Sequence, residues 1–303
     1  MERPRASALL STFTLMDRLI FHNDRIIPLE EARLSPGQVG LLTGWGVFTT
    51  LRVYQGLPFA FERHWARMKR DAELLGVPLC YEERAVRQAI IDLVRANQRP
   101  ESMARVSFVK NKGGLWAEAH DRPATDLLIF IRELVAWPAV QSLTIEPHGI
   151  FSAGPYAGAK MLSWVSHAAV LERAHAGGFD DALLINEYEK IAECTSANIF
   201  LVRDGGVLTP ALSSGCLAGI TREILFEIAP RAGIPLQEKE LTTEDLSTAA
   251  EVFISSTTRE VAAIESISPS WKYPAPGKTT LALEKIFQEY VHDYLVKAAH
   301  SRP

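Results

Sequence analysis

Cysteine is scarce in this chain: Cys80, Cys194 and Cys216 are three in 303 residues, odd in number and without metal-ligand spacing. That usage excludes a disulfide framework and a cysteine-ligated zinc site, and it leads us to expect a reducing, cytoplasmic setting. Long hydrophobic runs are also missing. The longest, such as LLIFI at 127–131, fall far short of the roughly 20 apolar residues that a membrane-spanning helix needs. Charge of neither sign dominates, with 32 Lys and Arg against 36 Asp and Glu and a net charge of −4. Such a balance leaves no basic footprint for nucleic acid or for an anionic membrane surface. No Gly-x-Gly-x-x-Gly opens a helix, which argues against a Rossmann dinucleotide site, and repeats and low-complexity segments are absent. Residues 1–15 imitate a secretory leader, but their apolar part is broken by Ser11, Thr12 and Thr14 and no small-x-small cleavage site follows. They are expected to form a disordered or loosely attached extension, with Met16 as an alternative start.

What is present is the composition of a globular enzyme, 47% apolar and 22% charged, in a chain long enough for two cores. From Met16 onward, LIFHNDRIIP reads as two strands about an Asn23-Asp24 turn. FTTLRVY and LPFAF read as a hairpin about Gln55-Gly56. In ERHWARMKRDAELLGV the apolar residues Trp65, Met68, Ala72 and Leu75 keep helical spacing, and Gly76 stands where a C-cap belongs. His64 and Arg67 in this helix are read as structural anchors. A second helix ends before Pro100, and strands ARVSFVKN and TDLLIFIREL follow on either side of Gly113-Gly114. The pattern pauses at Trp137-Pro138. We therefore expect a small α/β domain over 16–134, a linker over 135–142 and a larger domain over 143–303. In the larger domain, strands DDALLINE and ANIFLVRDG flank a turn that holds Glu193, and a terminal helix covers about 281–298. Helices interspersed with many hairpins point to an α+β fold and not to a doubly wound parallel sheet.

Three elements carry chemistry. Lys160 sits among small and apolar residues in AGAKML, a setting that desolvates an amine and makes its lone pair available for bonding a carbonyl carbon. Alone, a loop lysine is a surface residue; its companions change the reading. Glu193 lies in the apolar run Ile191-Ala192-Glu193-Cys194, where a carboxylate can keep a pyridinium nitrogen protonated. Leu217-Ala218-Gly219-Ile220-Thr221-Arg222 is a glycine turn entering a helix, and backbone N–H groups at a helix start, with a threonine hydroxyl, suit a phosphate. A simple N-cap by Thr221 is the plainer reading of that motif. Ser255-Ser256-Thr257-Thr258 could add donors, and Arg52 could add a bidentate cation.

The order GWGVFTTLRV, ERHWARM, AGAK, ECTSANIF with Glu193 33 residues after Lys160, LAGITRE and FISSTTREV resembles the class IV, fold-type IV pyridoxal-phosphate enzymes. These include branched-chain aminotransferases, D-amino-acid aminotransferases and 4-amino-4-deoxychorismate lyases. The resemblance runs from about Leu19 to Val296. It implies a small N-terminal α/β domain, a larger C-terminal pseudo-barrel domain that binds pyridoxal 5′-phosphate, and a homodimer. It implies that Lys160 bonds the cofactor and shuttles a proton between substrate Cα and the cofactor's C4′. Glu193 would pair with the pyridine nitrogen and Leu217 would pack against the ring. Arg52, the Gly219 turn with the Ile220 and Thr221 amides and the Thr221 hydroxyl, and Thr257 would hold the phosphate. The implied activity is transfer of an amino group from an aliphatic, branched-chain amino acid to a 2-oxo acid such as 2-oxoglutarate. The alternatives are the lyase reaction, with Thr50 as a helper, and transamination of D-amino acids. Phe48-Thr49-Thr50-Leu51-Arg52 departs from the Phe-Glu-Gly-x-Arg of many branched-chain enzymes and approaches the lyase form. Leu115-Trp116-Ala117 departs from the lyase in turn. The substrate-carboxylate arginine and histidine of D-amino-acid enzymes are not evident, although Lys110 and His120 lie near that stretch. Trp164 stands in the neighbourhood where the family often has tyrosine.

Overall fold

The computed structural model describes residues 19–113 and 123–300. The extension over 1–15 and the stretch with Leu115, Trp116, Ala117 and His120 lie outside the described residues.

In the first unit, β1 (Leu19–His22) and β2 (Arg25–Pro28) form a hairpin about Asn23 and Asp24, both at positive φ. A short helix α1 (Val39–Thr43) leads into β3 (Gly46–Tyr54), which turns at Gln55-Gly56 into β4 (Leu57–Pro58). Helices α2 (Phe61–Leu75) and α3 (Glu83–Ala96) follow, then β5 (Ser102–Lys110) and β6 (Thr125–Arg132). The six strands pair in the order β2-β1-β6-β5-β3-β4, antiparallel throughout. Helix α2 lays Phe61, Trp65, Met68 and Ala72 into the core with Leu51 and Phe108 of the sheet. Each large side chain buried there contributes about 1.5–3 kcal/mol. The helix ends as expected at Gly76, whose N–H returns to the carbonyls of Ala72 and Glu73. A second row on α2 is also buried, and it is polar: His64, Arg67 and Asp71. Their spacing of three and four residues puts them on one helical face.

The second unit begins with β7 (Val140–Ile150) and continues through α4 (Val165–Ala176), β8 (Asp181–Asn186), β9 (Ile191–Cys194), β10 (Asn198–Arg203) and β11 (Gly206–Pro210). It proceeds with α5 (Ile220–Ile228), β12 (Leu236–Lys239), β13 (Glu251–Ser256), β14 (Glu260–Ile267), β15 (Trp271–Lys272) and α6 (Lys278–His300). The sheet runs β12-β11-β10-β13-β14-β7-β8-β9, with β15 on β14. Strand β7 is parallel to both β14 and β8, so this sheet is mixed. Every residue of β8 is buried, in keeping with a central strand whose sequence is apolar almost throughout. At the start of β8, Asp181 forms a fully buried ion pair with Arg259 at 3.0 Å and also accepts from Thr195 and Ser196. Glu251 caps α6 by accepting the N–H groups of Thr279 and Thr280.

The architecture is α+β in two units, as the element pattern indicated. Two assignments change. Ala159–Trp164 and residues 294–300 belong with the first unit, although both were expected in the larger domain over 143–303. Lys160–Leu162 extends the edge of the first unit's sheet, and Tyr294 donates to Glu62 and meets Phe59 edge-on, which explains the reassignment. Glu193, in addition, is not in a turn. It lies on β9 opposite Leu184, because Ile191, Ala192 and Cys194 supply enough buried surface for a strand and the reversal is completed earlier, near Glu189.

Candidate active site

In the first unit the site is built on the half-edge of β3 that β4 leaves uncovered. Strand β4 covers only Val53 and Tyr54 of that edge. At its other end the Phe48 N–H donates to the Lys160 carbonyl at 3.1 Å, the Leu162 N–H donates to the Gly46 carbonyl at 2.9 Å, and Val47 faces Met161. The lysine segment thus pairs as a short extra strand. Glycine is required at 46 because a Cβ there would run into the Phe108 carbonyl and the Leu162 side chain. The remaining Lys160 backbone donor goes to Asp71 Oδ2 at 3.0 Å. Lys160 Nζ stands 4.7 Å from the centre of the Phe48 ring.

Beneath this segment, Thr49 joins the buried polar row of α2. Arg67 donates to Thr49 Oγ1 at 3.0 Å, and Thr49 Oγ1 lies 2.7 Å from His64 Nδ1. The Thr49 hydroxyl thus links the guanidinium of Arg67 to the imidazole of His64. Burial first, and then the positive charges of Arg67 and Lys160, hold His64 well below the usual imidazole value of 6.5. The ring is therefore neutral at pH 7. The reading of His64 and Arg67 as anchors agrees with these partners. Thr50 is opposite Arg105 in the sheet. The Arg105 guanidinium is 3.7 Å from the centre of the Phe48 ring, and no carboxylate pairs with it among the described residues. Burial, then Arg132, lowers its pKa from the ordinary arginine value. Arg52, further along β3, is stacked 4.5 Å above the Tyr54 ring, and Lys110 is engaged in donating to the Gly76 carbonyl. Trp164 belongs to this unit and donates its backbone N–H to the Leu162 carbonyl.

The second unit holds Glu193, Leu217, Gly219, Ile220, Thr221 and Thr257. Glu193 is 8% exposed, and its Oε2 accepts the Leu217 N–H at 3.1 Å. Asn198 Nδ2 donates to the Leu217 carbonyl at 2.8 Å, so the same turn is gripped from two strands. A Cβ at Gly219 would collide with Asn198 Oδ1, which explains the glycine. Gly219, and not Thr221, is the N-cap of α5, and no side chain caps the helix. Thr221 is buried one position inside. Arg222 secures the helix by donating to the Pro210 carbonyl and to Glu238. Across the ladder from Asn198 stands Ser255, whose buried Oγ has no hydrogen-bond partner among the described residues. Thr257 sits half-buried in the turn just after β13.

Lys160 and Arg52 therefore share one unit, and the other predicted residues share the second. Asp71, Arg105 and Asn198 were missed, whereas Ser255 stood among the expected donors of the Ser255–Thr258 run. Only Asn198, inside ECTSANIF, carried a signal that sequence reading could have used.

Comparison with known proteins adds the family. Residues 46–267, well over half of the chain, match the model of amino-transferase class IV. The probable branched-chain-amino-acid aminotransferase of Synechocystis sp. is 27% identical over 264 residues, 82% of this chain and 85% of the relative. The aminodeoxychorismate lyase of Bacillus subtilis is 25% identical over 287 residues, 91% and 96% of the two chains. Among solved structures, the branched-chain amino acid aminotransferase from Thermobaculum terrenum in its PLP-form superposes with a TM-score of 0.81. It is 27% identical, and the match covers 92% of this chain and 96% of that one.

Proposed function

The chain belongs to the class IV aminotransferase family, with that family's fold-type IV, two-unit α+β architecture, and from this premise we propose that it is a pyridoxal-phosphate-dependent aminotransferase. On our reading it takes the amino group of an aliphatic, branched-chain amino acid and delivers it to 2-oxoglutarate, as a cytoplasmic homodimer. The observation that carries the reading is the grip of the buried Glu193 carboxylate on the turn that opens the uncapped helix α5.

The residues fit the cofactor. An uncapped helix start and a buried serine hydroxyl lacking a partner among the described residues suit a phosphate dianion, and a buried carboxylate suits a protonated ring nitrogen. When bound, pyridoxal phosphate supplies an electron sink for the charge that develops at the substrate Cα. The chain's own groups do the rest. Lys160 Nζ would hold the cofactor and would move the proton at the substrate Cα. Glu193 would keep the ring nitrogen protonated, and Leu217 would pack against the ring. The Gly219 turn, the Ile220 and Thr221 amides, the Thr221 hydroxyl and Thr257 would hold the phosphate, and Arg52 would supply a cation to it. Arg105, half-buried and with no carboxylate partner among the described residues, supports a substrate that carries a second carboxylate, as glutamate and 2-oxoglutarate do.

Borohydride reduction of the cofactor-loaded protein followed by peptide mapping tests the cofactor assignment, with the label expected on Lys160. Leucine with 2-oxoglutarate should then yield glutamate. No label on Lys160, or no glutamate from any aliphatic donor, defeats the proposal. The Thr49-Thr50 pair favours a second reading, the lyase that releases pyruvate from aminodeoxychorismate. Pyruvate formed without an added oxo acid would select it.

A further inference from the structure

Asp71 is 1% exposed, and keeping a carboxylate that deep has a solvation cost that its partners must offset. Two partners take it. Oδ1 receives Arg70, whose own side chain is 52% exposed, through Nε at 2.9 Å and a terminal nitrogen at 2.6 Å. Oδ2 receives the backbone N–H of Lys160, 89 positions away in sequence. An ion pair with a surface arginine does not call for a buried carboxylate, because such a pair forms at the surface at no desolvation cost. The Lys160 N–H does call for a buried acceptor at this place. The lysine segment pairs with β3 through the Lys160 carbonyl and the Leu162 N–H, and at Lys160 its N–H leaves the ladder for the helix. With the carbonyl fixed to the strand and the N–H fixed to α2, both peptide planes flanking the Lys160 Cα are set. The direction in which the side chain departs follows from them.

Resting on the reading of Lys160 as the cofactor lysine, we propose that Asp71 is a positioning residue for it: by accepting the Lys160 N–H, Asp71 aims the amine at the carbon it must bond. Displacing a reacting group by about 1 Å can cost on the order of a hundredfold in rate. Loss of one buried hydrogen bond that only aims the group is expected to cost about tenfold. The effect belongs to the bond and not to the negative charge. Arg70 is a neutralising neighbour and is dispensable.

The experiment measures the rate at which cofactor-free protein takes up pyridoxal phosphate onto Lys160, read by absorbance and by borohydride trapping with peptide mapping. Thermal melts and far-UV circular dichroism check the fold of each variant. Arg70→Gln should react like the parent. Asp71→Ala should react about tenfold more slowly. The double variant Arg70→Gln/Asp71→Asn has an amide oxygen with no competing arginine, so it can again accept the Lys160 N–H and should recover most of the parental rate. If Asp71→Ala does not fold, the double variant against Arg70→Gln still decides. Parental uptake by Asp71→Ala overturns the proposal. Slow uptake by the folded double variant also overturns it, since charge and not the bond would then matter. A parent protein that places no label on Lys160, like a Lys160→Ala control, removes the cofactor-lysine reading itself; parental labelling with an unaffected Asp71→Ala removes only the inference.

Discussion

Glu193 Oε2 accepts the backbone N–H of Leu217 at 3.1 Å, so a carboxylate in the interior of β9 is tied to the turn that opens α5. One side chain thereby couples the group suited to a pyridinium nitrogen with the backbone suited to a phosphate. Glu193→Gln keeps an oxygen for the Leu217 N–H but loses the charge. The variant should remain folded, with stability within about 1 kcal/mol of the parent by urea denaturation. Its kcat should fall by about a hundredfold or more, the scale seen when an electrostatic stabiliser is removed.

Arg105 should affect one substrate and spare another. Arg105→Gln is expected to raise KM for 2-oxoglutarate by about tenfold to a hundredfold, from the loss of a charge-assisted hydrogen bond worth about 1.5–3 kcal/mol. The half-reaction with leucine, which has no second carboxylate, should change by less than about threefold. Equal losses with both substrates would mean that Arg105 serves only the Phe48 ring it stacks on.

Gly219→Ala places a methyl group against Asn198 Oδ1. The turn must shift, and cofactor affinity should drop by about tenfold or more, as expected from displacing a charge-assisted contact. Fluorescence titration of the cofactor-free protein with pyridoxal phosphate gives the comparison. Ser255→Ala removes a buried hydroxyl that has no partner among the described residues. Its thermal stability should not fall, whereas its cofactor affinity should.

His64 gives the fold a pH dependence. Its folded pKa is depressed, chiefly by burial, while the unfolded chain takes up the proton near 6.5. The neutral ring therefore contributes stability above pH 6.5, and this contribution is lost as pH falls below that value. The limiting slope for one proton is about 1.4 kcal/mol per pH unit. Urea titrations of parent and His64→Gln between pH 7.5 and pH 5.5 should differ in that slope, and identical slopes would refute it.

Asp181 and Arg259 form an ion pair with both side chains essentially without exposure. Removing one partner leaves the other charge buried, so Asp181→Ala should destabilise by about 3–5 kcal/mol. The loss should appear in the denaturation midpoint of the second unit's sheet.

What the amino-acid sequence determined by itself was local or periodic. Asn23-Asp24 and Gln55-Gly56 announce hairpins because few residues accept positive φ, and all four do so here. Trp65, Met68 and Ala72 announce α2 because burial repeats with the helical period. Lys160, Glu193 and the Gly219 turn were recognisable through motif order and spacing. Tertiary structure alone decided what those residues touch. Glu193 became a strand residue because β8 was available to pair with it. Lys160 left the domain that its position in the chain suggested, because the edge of β3 offered unpaired backbone groups. Asp71 carries no signal of its own in the sequence, yet it is buried and bonded to a residue 89 positions away. No local propensity encodes such a contact. It exists because folding brings a polar helix face, a strand edge and a lysine loop together, and each donor buried there must find an acceptor.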